Sequence, residues 1–327
     1  MSKNKTMGGI LLPALICALL WGSAFPGVKT GYTLLGVADD AFSKLYFAGW
    51  RFTLAGVLVL VVYAILYRKS ILPPKNLMRG IVLLGLVQTT VQYIFYYIGL
   101  SHTTGVKGAV LTATGTFFAV LFSHFIFPDD KINRYKALGC IMGFEGVVLI
   151  SMGNNELFAS GFTMSGEGFM IISAAGAAAG AVVSKMIARA RGAEPMVITG
   201  WQLMVGGVIL LLVGRIGGGH FTQVSPKGCL LLGYLVFLSA TAFTIWTILL
   251  KHYPVGKVTV YNFLTPIFGT LLSGLFLGES IFQTRNVISL LFVCAGIVLV
   301  NFAKLPKSAT ASREKRTVSA ASRKRSL

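Results

Sequence analysis

Residues 42–67 read FSKLYFAGWRFTLAGVLVLVVYAILY, and only Lys44 and Arg51 in this stretch carry a charge. A helix needs about 20 apolar residues to cross the hydrocarbon core of a bilayer, so the stretch is long enough to span it. The chain as a whole agrees, because 55% of its 327 residues are hydrophobic and 12% are charged. Soluble domains usually carry about 25% charged residues. The composition therefore excludes a soluble globular protein and a disordered one.

Nine further apolar runs meet the same criterion. The ten runs cover 8–28, 42–67, 79–100, 104–127, 133–152, 166–188, 195–215, 228–249, 256–277 and 283–303. They are long and continuous, whereas the strands of a membrane barrel alternate over about ten residues. We therefore predict an all-α integral membrane protein with ten transmembrane helices.

The formal net charge is +19, from 29 Lys and Arg residues against 10 Asp and Glu residues. With a cytoplasmic N terminus, most of the Lys and Arg residues fall in cytoplasmic connections or in the tail 304–327. This distribution follows the positive-inside rule. It predicts that both termini are cytoplasmic in a multi-pass plasma-membrane protein of the bacterial inner-membrane kind. It also explains the charge better than nucleic-acid binding does. The tail, rich in Ser, Ala, Lys and Arg, is expected to be disordered.

The two halves of the chain resemble each other at an offset of about 150 residues. The segment GVVLI at 146–150 corresponds to GIVLV at 296–300. Further equivalent pairs are Tyr96 with Trp246, Thr112 with Asn262, Thr116 with Pro266, and Phe118 with Phe268. Each half holds five spans, and because five is odd the second copy begins on the opposite side of the membrane. We therefore predict two inverted five-helix repeats, 8–152 and 166–303, as in many secondary transporters.

The chain also resembles the EamA-like family of drug/metabolite transporters. The matching segments are LLWGSAFP at 19–26, RF at 51–52, LTPIF at 264–268, LGE at 277–279 and GIVL at 296–299. The resemblance implies ten helices in an inverted repeat, a central cavity lined by spans 1, 3, 4, 6, 8 and 9, and export of small metabolites or amino acids. The chain departs from the family at Thr116, where proline is frequent, and at Asp129-Asp130, where Gly-Glu is frequent.

Span three carries Gln88, Gln92 and Tyr96 at intervals of four residues, a spacing that places them on one helix face. A buried amide costs free energy unless it is paired, so this face should point to protein or to a wet cavity. Two alternatives follow: a cavity wall that hydrogen-bonds the solute, or packing contacts between helices. The other candidate substrate-binding residues are hydroxyls, aromatics and one amide, namely Trp21, Ser23, Thr112, Thr116, Thr244, Trp246, Tyr261 and Asn262.

Pro266 lies inside span nine and cannot donate a hydrogen bond to the carbonyl of Asn262. A carbonyl freed at membrane depth must be satisfied by neighbours, water or ligand. We predict that a kink here acts as a hinge, together with Gly269. The alternative is the static packing of a bent helix.

Arg51 and Glu145 are ionisable residues inside spans two and five. At a rise of 1.5 Å per residue they lie at similar depths. A lone charge at such depth is costly, which predicts an ion pair between them. The pair is either structural or, in the sharper alternative, a proton-coupling site centred on Glu145.

Motifs of enzymatic chemistry are missing from the sequence: it has no HExxH, no GxSxG and no P-loop. The histidines show no metal-ligand spacing and the four cysteines show no CxxC. We therefore expect no enzyme, no cofactor and no metal site. The sequence favours a secondary transporter that exports a small neutral or zwitterionic solute by alternating access, with a proton as one candidate coupling ion. The alternatives are a flippase for lipid-linked substrates and a membrane scaffold that transports nothing.

Overall fold

The computed structural model describes residues 8–102, 111–151, 162–277 and 284–302. Within them the chain forms ten helical spans, which we number α1 to α10, and no named strand. The bounds are α1 Gly8–Leu35; α2 Ala41–Tyr67; α3 Lys75–Leu84, Gly85–Val91 and Gln92–Ser101; α4 Gly115–Ile126; α5 Arg134–Ser151; α6 Met164–Gly168 and Phe169–Ala188; α7 Pro195–Ile216; α8 Pro226–His252; α9 Val255–Thr259, Val260–Phe263 and Leu264–Leu277; and α10 Thr284–Phe302. The segments Gly85–Val91 and Met164–Gly168 are π-helical, and Val260–Phe263 is a 3₁₀ turn.

The lengths of the helices confirm the all-α membrane prediction. Six of them, α1, α2, α3, α6, α7 and α8, are long and apolar enough to cross a bilayer, and shorter apolar helices cover Leu111–Ile126 and Val287–Asn301. The observed α2 begins one residue before the predicted run and ends with it. The predicted tail 304–327, together with Gly278 and Glu279 of the family-like segment, lies outside the described residues.

Glycines let two pairs of helices approach closely. Where α2 crosses α7, a Cβ added at Gly49 would collide with the backbone of Leu211, and one at Gly207 with the backbone of Thr53. Where α5 crosses α10, a Cβ at Gly139 would lie 2.6 Å from the carbonyl oxygen of Gly296. Helices in lipid associate largely through such close packing, because lipid tails are as apolar as the side chains.

The neighbours of each helix follow a regular pattern. Helix α1 packs against α8 and α9, while α6 packs against α3 and α4; likewise α2 packs against α8, and α7 against α3. Among the described residues, the pairs α2–α7 and α5–α10 have the most extensive contacts. These contacts are preserved when every helix is exchanged for the helix five places along the chain. The pair α1–α8 then becomes α6–α3, α1–α9 becomes α6–α4, and α2–α8 becomes α7–α3. The pairs α2–α7 and α5–α10 become themselves.

Connections between helices also pair at the two ends of the bundle. At one end, which we call the Phe221 end, the α1–α2 connection meets the α7–α8 connection: Val37 forms a β-bridge with Phe221, and the Thr222 amide donates to the Gly36 carbonyl at 3.1 Å. At the other end, the Asp130 end, the α2–α3 connection meets the α6–α7 connection, since a Cβ added at Gly192 would lie 3.6 Å from Pro74 Cγ. Trp201 Nε1 of α7 also donates a hydrogen bond of 2.8 Å to the Ile71 carbonyl of the α2–α3 connection.

The glycine crossings predict a sharp difference between two substitutions. Gly207→Ala forces a Cβ into the backbone of α2, whereas the matched Gly233→Ala places its Cβ in open space on α8. Overpacking typically costs about 1–3 kcal/mol, so we expect Gly207→Ala to lower the thermal unfolding midpoint in detergent by several degrees, and Gly233→Ala to leave it unchanged or raise it. Equal midpoints for the two variants would contradict this account of the α2–α7 contact.

Candidate functional site

One face of α3 packs on α6, and two of the predicted polar residues, Gln88 and Gln92, lie in this contact. Gln88 lies over Gly180, where an added Cβ would be 2.5 Å from the Gln88 Cβ, and the Cβ of Gln92 lies 3.6 Å from the corresponding point of Gly176. The side chain of Gln88 is 6% exposed. For Gln88 these contacts match the packing alternative better than the cavity wall. Gln92 differs, because its Oε1 is buried without a hydrogen-bond partner.

The π-helical segment of α3 sends its own polar residues to α7. Thr89 Oγ1 accepts a hydrogen bond of 3.1 Å from Gln202 Nε2, and Thr90 Oγ1 donates to the Gly206 carbonyl at 3.2 Å. A π-turn carries an extra residue, which rotates the side chains that follow it. Tyr96 accordingly lies in a group of tyrosines, with its ring 6.0 Å from that of Tyr93.

Arg51 of α2 lies beside this tyrosine group. Its side chain is buried, with 4% of the residue exposed. Its Nε donates a hydrogen bond of 2.8 Å to Ser239 Oγ of α8, and its guanidinium carbon lies 5.1 Å from the centre of the Phe52 ring. The guanidinium also interacts electrostatically with four tyrosines: Tyr32 of α1, and Tyr93, Tyr96 and Tyr97 of α3. Four helices therefore meet at this one cation.

The expected ion pair between Arg51 and Glu145 is not formed. Among the described residues, no carboxylate oxygen lies within 4 Å of a nitrogen of Arg51. Glu145 is exposed on α5, a helix that packs chiefly on α10, while Arg51 faces α8. The helical rise predicts only depth, whereas the direction in which each side chain points depends on neighbours that the rise does not specify.

A series of aromatic rings in contact leads from Trp21 of α1 and Trp246 of α8 towards Arg51. The ring of Trp21 lies 4.9 Å from that of Trp246 and 5.7 Å from that of Phe243, in edge-to-face geometry. Phe243 is 6.2 Å from Phe52, whose ring is 4.5 Å from that of Tyr93. The structure thus brings Trp21 and Trp246 together, and connects them by ring contacts to the tyrosines around Arg51.

The remaining candidates divide between this region and contacts elsewhere. Thr244 Oγ1 of α8 is buried and has no hydrogen-bond partner. Ser23 is engaged at the α1–α8 contact, where its Oγ lies 2.6 Å from Tyr234 Oη. Thr116 Oγ1 donates to the Thr259 carbonyl at 3.1 Å and so connects α4 to α9. Thr112 is exposed.

The irregular part of α9 coincides with the proline. The 3₁₀ turn Val260–Phe263 lies just before Pro266 and includes Asn262, whose carbonyl has no proline N–H to bond. Tyr261 in this turn is 1% exposed, and its hydroxyl accepts a hydrogen bond of 3.2 Å from Asn301 Nδ2, whereas Asn262 is half-buried. Gly269 packs on Gly22 of α1, where an added Cβ would be 2.9 Å from the Gly269 nitrogen. The hinge role of Pro266 and Gly269 stays a prediction.

Sequence reasoning missed a buried charge cluster at the Asp130 end. Asp130 is 0% exposed; its carboxylate accepts a hydrogen bond of 2.5 Å from Lys136 Nζ and one of 3.2 Å from the Gly256 amide. Lys185 of α6, also 0% exposed, places its Nζ 3.9 Å from the same carboxylate. The cluster joins the α4–α5 connection to α6 and α9. In the sequence Asp130 stands out only as a departure from the family pattern, and the lysines only as part of the positive-inside distribution, since nothing local distinguishes a buried lysine from an exposed one.

Asp129 behaves differently from its neighbour. It is exposed and forms a 3.0 Å ion pair with Arg189. Burial alone would raise the pKa of the Asp129 carboxyl, but the hydrogen bond from Arg189 and the charges of Lys185 and Arg189 outweigh it, so the pKa is lowered. A carboxyl whose pKa is lowered by folding stabilises the folded state at neutral pH, and this contribution fades as the pH falls through that pKa.

Comparison with known proteins places the chain among transporters. The model of the EamA-like transporter family matches residues 7–152 and again 164–302. An uncharacterized transporter of Synechocystis is 27% identical over 317 residues, covering 92% of each chain. The inner membrane transporter YedA of Escherichia coli is 26% identical over 290 residues, covering 88% of each. A WAT1-related chloroplast protein of Arabidopsis thaliana is 25% identical over 290 residues, covering 86% of this chain and 67% of that protein.

One solved crystal structure superposes with a TM-score of 0.75 at 18% sequence identity, covering 90% of this chain and 96% of that one. At this identity the likeness concerns the fold alone.

The adjacent carboxylates Asp129 and Asp130 make a matched pair for testing the charge cluster. Asp130→Asn leaves Lys136 and Lys185 buried without a counter-charge, and breaking a buried pair on one side costs about 3–5 kcal/mol. Asp129→Asn removes an exposed pair worth about 0–1 kcal/mol. We expect a large drop in the thermal unfolding midpoint for Asp130→Asn and little change for Asp129→Asn. A small effect at Asp130, equal to that at Asp129, would refute the structural role of the cluster.

Proposed function

The chain belongs to the EamA-like transporter family, and we propose that it moves a small neutral or zwitterionic metabolite, such as an amino acid, outward across a plasma membrane by alternating access. The observation that carries this proposal is the convergence of Trp21, Trp246, Arg51 and the neighbouring tyrosines where α1, α2, α3 and α8 meet. Ligand sites combine apolar and aromatic walls with a few polar groups, and transporter sites lie near the bilayer midplane.

The pattern of helix neighbours supports two inverted repeats, with bounds near 8–152 and 166–303. Exchange of each helix for the one five places along preserves the main contacts, as expected if the halves are related by a twofold axis in the membrane plane. The paired connections at the two ends follow the same exchange, since α1–α2 becomes α6–α7 and α7–α8 becomes α2–α3. Such a molecule can open at either end by rocking one repeat against the other.

The two ends would then act as gates. At the Phe221 end the closure rests on backbone and side-chain hydrogen bonds, such as that from Gln223 Nε2 to the Thr33 carbonyl at 3.0 Å. At the Asp130 end it rests on the buried charges of Asp130, Lys136 and Lys185. By the positive-inside rule, the Asp130 end and the tail 304–327 would face the cytoplasm. Bending of α9 near Pro266 and Gly269 would accompany opening, because α9 packs on α1.

Substitutions of Trp21 and Trp246 test the proposed site. In counterflow experiments with proteoliposomes and a pool of labelled amino acids, we expect Trp246→Ala and Trp21→Ala to reduce uptake at least tenfold, since both rings line the proposed site. The matched control is Trp50→Ala, whose ring is 36% exposed on the outer side of α2, and it should retain uptake.

The same experiment can contradict the proposed site, the proposed solute class and the proposed coupling. Full uptake by Trp246→Ala and Trp21→Ala, both well folded, would move the site elsewhere. Wild-type vesicles that carry no labelled amino acid would refute the proposed solute class. Repeating the assay with an imposed pH gradient, and with Glu145→Gln, shows whether a proton is coupled at Glu145: a gradient effect that survives this substitution excludes the residue.

A further inference from the structure

We propose that Arg51 is the recognition site for a carboxylate group of the solute. This inference deepens the proposed function and rests on it. It adds a chemical requirement that a transporter of neutral solutes does not have: a ligand with a single carboxylate, bound by the guanidinium and by the tyrosine hydroxyls around it.

The first argument is the missing counter-charge. A charged side chain at bilayer depth is almost always paired or placed next to a water-filled cavity. Arg51 is 4% exposed, and the described residues bring no carboxylate within 4 Å of its nitrogens. The tyrosines around it are neutral at physiological pH, because the phenol pKa is about 10. Their electrostatic partners are one another and Arg51, with no carboxylate among them.

The second argument is the free edge of the guanidinium. Its Nε is held by Ser239 Oγ, which itself donates to the Leu235 carbonyl at 2.8 Å, so the plane of the group is fixed from α8. Among the described residues the two terminal nitrogens donate no hydrogen bond. The protein therefore ties the guanidinium down at Nε alone, and the edge with the two terminal nitrogens is the part of the side chain that remains for a ligand.

The third argument is the match of chemistry. The guanidinium presents parallel N–H donors that fit the two oxygens of a carboxylate. Tyr93 and Tyr96, both beside the guanidinium, carry hydroxyl donors of the kind that a carboxylate accepts. A single positive charge suits a monoanionic group, whereas a phosphate ester carries close to two negative charges and would call for a second cation.

The rest of the solute has an apolar path beside this site. The rings of Phe52, Phe243 and Trp21 follow one another with centres 6.2 and 5.7 Å apart, ending at Trp246. A solute with a carboxylate at one end and an apolar or aromatic body at the other would place the first at Arg51 and the second along these rings. Such a molecule is an apolar amino acid or a related monocarboxylic acid.

The experiment measures binding to the detergent-purified full chain, without transport. The unfolding midpoint is followed while L-phenylalanine, L-leucine or propionate is added, and compared with L-phenylalaninamide, L-leucinamide, propionamide and inorganic phosphate at the same ionic strength. We expect the carboxylates to raise the midpoint and the amides and phosphate not to raise it. An amide that stabilises the wild-type protein as much as its acid overturns the proposal, as does the absence of stabilisation by any carboxylate.

Substitutions then locate the effect. Arg51→Gln should abolish the stabilisation by carboxylates. Arg51→Lys keeps the charge but loses the parallel N–H donors of the guanidinium, so at least a tenfold higher carboxylate concentration should be needed for the same rise of the midpoint. Arg215→Gln removes an exposed arginine at the end of α7 and serves as the matched control that binds as the wild type does. Wild-type affinity in a folded Arg51→Lys or Arg51→Gln protein overturns the assignment. Because binding is read separately from flux, carboxylate binding without amino-acid counterflow would retain Arg51 as the site and reject the proposed transport activity.

Discussion

Inside a bilayer every polar group must find its partner within the protein, because the hydrocarbon offers none. This constraint makes the chain helical across its spans and sends its polar side chains inward. Gln202 meets the constraint by donating to Thr89 Oγ1, and Thr116 by donating to the carbonyl of Thr259. Asp130 meets it with Lys136 and the backbone of Gly256.

The architecture could be predicted from the sequence because it depends on lengths and composition. The run 42–67 became the helix Ala41–Tyr67 almost unchanged, since a mostly apolar stretch of that length has one stable form in a membrane. The resemblance to EamA-like transporters was confirmed by the family match to both halves. The internal form of α3 escaped prediction, because its π-helical segment is stabilised by contacts with α7, such as that from Gln202 to Thr89, and not by a local signal.

The functional site was predicted only in part, because the contacts of its residues depend on helices that are distant in sequence. Trp21 and Trp246 were chosen separately, one from the family-like segment and one from the repeat, and the structure places their rings in contact. Arg51 was correctly marked as unusual, yet the partner inferred for it, Glu145, is exposed on another helix. Depth follows from counting residues along a helix, whereas the direction of a side chain depends on which helices surround it. Asp130 was missed because its burial depends on α6 and α9, which are distant in sequence.

Two buried cations now show how a structural charge differs from one available to a ligand. Lys185 lies 3.9 Å from the carboxylate of Asp130 and 4.6 Å from the centre of the Phe127 ring, so the protein itself supplies its surroundings. Arg51 has hydroxyls and rings around it but no carboxylate among the described residues. A ligand that brings the missing negative charge stabilises the state in which Arg51 is buried, in proportion to the logarithm of its concentration over its Kd. Because Ser239 on α8 holds Arg51 on α2, that stabilisation acts directly on the contact between the two halves of the molecule, where a transporter must couple solute binding to movement.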